Sequence, residues 1–134
     1  MLTFDLNYWA VLLAALSSFM LGGIWYSPWL FGHRWMECCG LTEVDLQQSD
    51  PKLIYGGAFI LALLAASILA ALLGKDPLLS DAVALGASIG AGLVTPTLGI
   101  SYIFEQRPLT LFFINGGYHT CQFILMASVL SITG

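Results

Sequence analysis

His119 is the one histidine inside a long uncharged stretch of this sequence, and two carboxamides accompany it at helical spacing. Asn115 lies four residues before it and Gln122 three after, so a helix places all three on one face, with Tyr118 and Cys121 flanking. Proton acceptance, proton donation and ligation are the chemistries an imidazole offers there. On one reading, Asn115, Tyr118, His119 and Gln122 form a polar pathway or small binding site. On the other, they form a helix–helix hydrogen-bond cluster, with Asn115 or His119 bonded to Ser17, Ser18 or Thr95. Such bonds stabilise membrane helices by only ~0.6 kcal/mol on average. Three polar residues on one face exceed what packing alone requires, and both readings stand.

Other chemistry is thinly represented. No Asp, Glu, Lys or Arg lies within the runs Leu6–Gly32, Leu53–Gly74, Ala82–Phe104 and Pro108–Gly134. Cys38 and Cys39 are adjacent and Cys121 stands apart, so neither a CxxC pair nor a Cys/His zinc spacing is present. One intramembrane His and a separate Glu105/Arg107 pair fall short of a nucleophile, base or metal cluster. The expectation is a protein that is not an enzyme, with no metal and no cofactor.

The elements that must position His119 are those four runs. Each is at least 22 residues long, and a helix rising ~1.5 Å per residue crosses a ~30 Å hydrocarbon layer in about 20. None shows the alternation of a barrel strand. Hydrophobic residues make up 58% of the 134 and charged ones 9%, against ~25% charged in soluble domains. The net charge of -4 leaves no basic surface for nucleic acid. The expected fold is therefore an all-α integral membrane protein forming a single domain, residues 1–134. It has four transmembrane helices in two hairpins, at about 8–27, 52–73, 80–104 and 109–132, and a short interfacial helix after the first. The segment Met1–Trp9 lacks the basic region of a cleavable signal, so the first helix is expected to be retained.

Local signals sharpen these bounds. Tyr8 and Trp9 mark one interface, and Trp25, Tyr26 and Trp29 the other. Pro28 ends the first helix. The apolar residues of Trp29–Met36 suit a helix lying in the interface, and Thr42 can cap a brief turn beyond it. Pro51 and Pro108 suit first turns, and Ser80 is the expected cap of the third helix. Thr95-Pro96 should kink that helix, since Pro96 clashes with the Gly92 carbonyl while Thr95 and Thr97 offer hydroxyls locally. Small residues recur at four-residue spacing in Ala10/Ala14/Ser18/Gly22, in Ala58/Ala62/Ala66/Ala70 and in Gly86/Gly90, with Ala84, Ser88 and Gly92 beside the last. Such faces pack helices closely, either within one chain or between copies, and a homo-oligomer is expected. Glu105 and Arg107 can pair with each other or with Arg34 and Glu37, as an interfacial latch between the hairpins.

Four crossings put both termini on one side. Arg34, Lys52 and Arg107 against Lys75 alone favour termini outside, by a margin narrow enough to leave dual insertion open.

Two separated motifs carry a resemblance. Trp25-Tyr26-Ser27-Pro28, Leu30-Phe31-Gly32 and Trp35-Met36 form the first. Phe104-Glu105-x-Arg107-Pro108-Leu109 and Ile114-Asn115-x-Gly117-Tyr118-His119 form the second. Together they resemble the bacterial domain-of-unknown-function family 1761, small four-helix proteins of the inner membrane. The resemblance implies that location and marks residues of both motifs, His119 among them, without supplying an activity. The expected function is small-solute or ion permeation by a homo-oligomer. The alternative is a non-catalytic module that binds membrane lipid or another membrane protein.

Overall fold

The computed structural model describes residues 4–134, so the first three residues of the Met1–Trp9 segment lie outside it. The described chain is helical, with no strand: α1 (Tyr8–Trp25), α2 (Gly32–Cys39), α3 (Glu43–Gln48), α4 (Pro51–Leu73), α5 (Leu79–Ile89), a π-helical turn (Gly90–Val94), α6 (Thr95–Phe104) and α7 (Leu109–Thr133). Three stretches are long and apolar enough to cross a membrane: Tyr8–Trp25, Pro51–Leu73 and Leu79–Phe104. The 25-residue α7 is longer than α1, but Asn115, His119 and Gln122 dilute its apolar character, and it is not among the three.

Short polar side chains set the helix ends. Asn7 accepts from the Trp9 and Ala10 amides at 3.1 and 3.2 Å. Thr42 and Asp45 form a reciprocal capping box at α3. Asp50 accepts from the Lys52 amide ahead of α4, with Pro51 in its first turn. Two details depart from the expectations. α1 ends at Trp25, because Phe31 N–H bonds the Trp25 carbonyl and Gly32 N–H bonds that of Ser27, folding Trp29–Phe31 into a turn. The interfacial helix therefore starts at Gly32, where a Cβ would collide with the Tyr26 and Ser27 carbonyls. Ser80 lies inside α5, whose cap is Leu78 without a side-chain bond.

α7 is the central element, packed against α1, α2, α4, α5, the π turn and α6. The contact with α5 is a backbone approach: a Cβ on Gly86 would lie 2.5 Å from the Phe123 carbonyl oxygen, and one on Gly90 would lie 2.6 Å from Thr120 Cα. Thus Gly86 and Gly90 serve packing within the chain, whereas Ala84, Ser88 and Gly92 are exposed. The core is mostly alanine, with Ala14, Ala66, Ala82 and Ala127 fully covered around Leu69 and Met126. Leucine-sized side chains would hold the axes further apart.

The Thr95-Pro96 irregularity takes the form of the π turn. Thr95 bonds the Gly90 carbonyl with its backbone N–H and with Oγ1 at 2.7 Å. Thr97 Oγ1 bonds the Leu93 carbonyl at 2.6 Å, so the hydroxyls serve Gly90 and Leu93 rather than Gly92. An extra residue in the turn lets the chain pass a proline that has no N–H to give.

Asp5, Lys75, Asp76 and Gly134 line one cavity of about 300 Å³, so the segment leading into α1 and the end of α7 meet the α4–α5 turn at one end of the bundle. Lys75 Nζ lies 2.9 Å from Asp5 Oδ2 there, and Ser131 bonds the Pro77 carbonyl at 3.0 Å.

Candidate functional site

At the opposite end, the C-terminus of α1, α2, the C-terminus of α6 and the first half of α7 converge. Tyr26 donates its hydroxyl to Asn115 Oδ1 at 2.7 Å, and Asn115 Nδ2 donates to the Tyr102 hydroxyl oxygen at 2.8 Å. One carboxamide thus links α6, α7 and the residue that caps α1. Trp25 Nε1 donates to the Ile114 carbonyl at 3.0 Å, and Tyr118 donates to the Ser18 carbonyl at 3.0 Å. The rings interlock, with Tyr26 5.4 Å from Tyr118 and 5.5 Å from Trp35, and Trp25 4.9 Å from Phe31. Gly22 and Gly117 make the room: a Cβ would come within 3.2 Å of the Tyr118 hydroxyl or 3.0 Å of the Trp25 ring.

Motifs nearly ninety positions apart in sequence are therefore one structure, and residues 9–131 match a family described as a protein of unknown function, DUF1761. The chain belongs to the DUF1761 family. The family match agrees with the resemblance carried by the two motifs. Comparison with curated proteins and with solved structures returns no match.

In this DUF1761 chain the polar stripe of α7 divides into two parts. Asn115 and Tyr118 are committed to partners on other elements, and those partners are Tyr26, Tyr102 and the Ser18 carbonyl rather than the hydroxyls of Ser17 or Ser18. His119 and Gln122 instead bond each other along α7, Nδ1 to Oε1 at 2.7 Å. Gln122 is 8% exposed and His119 half-buried. Neither His119 Nε2 nor the Gln122 amide nitrogen has a partner among the described residues. Both atoms reach the molecular surface, since no buried side-chain nitrogen or oxygen among the described residues lacks a partner.

Thr95 belongs to this DUF1761 fold's packing. Its Oγ1 lies 3.1 Å from the Gly116 carbonyl and 3.3 Å from Thr120 Oγ1, tying the π turn to α7. Glu105 and Arg107 pair within their own turn at 3.3 Å, and neither Arg34 nor Glu37 forms an ion pair among the described residues. Tyr26–Asn115–Tyr102 is one link across this end of the bundle, beside Trp25–Ile114 and Tyr118–Ser18. The Ser27 hydroxyl bonds only the Ile24 carbonyl, and Pro28 is exposed in the turn. Cys38 and Cys39 are half-buried, and burial pushes the Cys39 thiol up while Arg107 pulls it down. Among the described residues no three His, Cys, Asp or Glu side chains gather where they could hold a metal ion.

Two contributors were missed in the sequence, Tyr102 and Thr120. Thr120 does bond back to its own helix at the Gly116 carbonyl, 2.8 Å away, as a helical threonine ordinarily does, so its spacing gives no sign of the Thr95 contact. Tyr102 lies thirteen positions before Asn115, across a turn whose direction the sequence alone does not set.

Proposed function

We propose that this protein crosses the bacterial inner membrane four times and, as a homo-oligomer, lets a small polar solute or proton pass by the His119–Gln122 pair. The observation that carries the reading is the His119–Gln122 pair itself, whose remaining ring and amide nitrogens reach the surface without a partner among the described residues. A packing cluster satisfies its own polar groups, as Asn115 and Tyr118 do; this pair keeps two atoms available. An ionisable group at membrane depth marks a site by default.

A fourth crossing by α7 is supported by its length of 25 residues, about 37 Å of helix. Its polarity is largely turned toward neighbouring helices, so it need not meet lipid. The meeting of the start of α1 and the end of α7 at one face supports an even number of crossings. Arg34, Lys52 and Arg107 favour the other face as cytosolic, with termini outside. The exposed Ala84, Ser88 and Gly92 offer a contact for a second copy.

Flux in proteoliposomes tests the site, using an entrapped pH dye and a potassium reporter with wild type, His119→Ala and His119→Gln. Expected is a flux that falls at least tenfold in both variants while each still elutes as a folded species. Unchanged flux in a folded variant returns the pair to a packing role.

A further inference from the structure

A groove of about 370 Å³ runs along the outer side of the α6–α7 hairpin, at the end of the bundle that holds the aromatic cluster. Its walls are Pro96, Gly99, Ile100, Ile103, Leu109 and Phe112. Two sequence features make the depression. Pro96 and Gly99 carry little side chain on this face, and the Phe112 ring fills the space a Gly99 Cβ would take, 2.7 Å from that position. Ile100, Ile103 and Leu109 are all exposed, so nothing in the described chain covers them.

Arg107 and Tyr102 complete the lining. Arg107 Nε meets Glu105 Oε1 at 3.3 Å, and its two terminal nitrogens have no partner among the described residues. Tyr102 accepts from Asn115 and donates to nothing among them, so its hydroxyl proton is also open. A cation with two free donors therefore stands at the end of an apolar trough, at the level of Trp25 and Tyr26, where aromatic rings mark the headgroup zone. A guanidinium fork matches a phosphate with two parallel bonds.

We infer that this groove is a binding site for an anionic phospholipid, its acyl chain along Ile100, Ile103 and Phe112 and its phosphate on Arg107. The inference needs only that α6 and α7 face lipid; it does not depend on passage of a solute at His119. Charge selects among lipids, because a zwitterionic headgroup brings its own cation toward Arg107 and an anionic one does not. The turn holds Arg107 in place. Gln106 has a φ of 58°, and its N–H and that of Arg107 bond the Ile103 and Tyr102 carbonyls, closing α6 in a Schellman arrangement with a non-glycine residue at the left-handed position.

Native mass spectrometry of the purified full chain, exchanged into micelles with equal phosphatidylglycerol and phosphatidylcholine of matched acyl chains, tests this. Wild type should retain the anionic lipid about tenfold over the zwitterionic one, the scale of a charge-assisted hydrogen bond. Arg107→Gln should bring the two to near parity, Arg107→Lys should keep most of the preference, and Ile100→Trp should reduce retention of both by filling the trough. Equal retention in wild type, an unchanged preference in Arg107→Gln, or full occupancy in Ile100→Trp overturns the assignment. So does a dimer peak that excludes lipid, which would give the groove to a second copy. His119→Ala should leave every lipid ratio unchanged, which separates this site from the proposed passage.

Discussion

The Tyr26 hydroxyl and Asn115 Oδ1 are 2.7 Å apart, and 89 positions of sequence separate the two residues. Asn115 closes the contact from the other side by donating to Tyr102, so both halves of one carboxamide are used. In lipid, where a free polar group has no water to turn to, this arrangement fixes how the end of α1 sits against α6 and α7.

Replacing Asn115 with Ala should therefore lower stability by about 1–3 kcal/mol, within the range of two interhelical bonds. Tyr26→Phe and Tyr102→Phe should each cost less, roughly 0.6 kcal/mol. Unfolding titrations in mixed micelles measure all three. In a double-mutant cycle Tyr26→Phe should add little once Asn115 is gone, and full additivity would separate the two residues.

Glycine substitutions should split by position. Gly86→Ala drives a Cβ to 2.5 Å from the Phe123 carbonyl oxygen, and neither backbone can yield without separating α5 from α7. A loss of about 1–3 kcal/mol is expected. Gly57→Ala on α4 meets nothing within 4 Å and should be neutral or stabilising by up to ~1 kcal/mol, by helix propensity. The same titrations decide between these outcomes.

The Asp5–Lys75 bridge predicts a pH window at the opposite end. Hydrogen bonding and then charge from Lys75 hold the Asp5 carboxyl below its ordinary 3.8, and Asp5 in turn raises the Lys75 ammonium above 10.5. The aspartate's contribution is complete above 3.8 and is lost as pH falls through its lowered folded value. The lysine's contribution is complete below 10.5 and is lost as pH rises through its raised value. Amine labelling at Lys75, compared with the Asp5→Asn variant, should show protection across neutral pH in wild type only.

Orientation has its own test. Alkaline phosphatase fused after Gly134 should be active if the termini face outward. Activity of a cytosolic reporter at the same position would reverse the topology, and strong signal from both would mean dual insertion.

Much of the architecture was legible from charge placement alone. Twelve charged residues confined to the gaps between uncharged runs leave little freedom in where helices start and stop, because a charge inside lipid is too costly to tolerate. The cap at Thr42 and the first-turn place of Pro51 followed from local chemistry, since both are settled within a few residues of the helix start. Ser80 did not follow that rule, because its run continues two residues further toward the N-terminus and Leu78 takes the boundary. The spacing 115, 119, 122 correctly placed three polar groups on one face, but a helical wheel has no partners in it. Which of them were satisfied waited on Tyr26 and Tyr102, both brought in from other elements.

The sequence by itself determined the helical class, the apolar runs and the residues worth watching, since each depends on composition and spacing within one segment. The tertiary structure alone decided that α7 is the hub, that Gly86 and Gly90 face inward while Ala84 and Ser88 do not, and that His119 and Gln122 keep open atoms. The reason is physical. Periodicity fixes which residues share a face, but the neighbour each face meets depends on backbone approaches between segments tens of residues apart, and no local pattern encodes those distances.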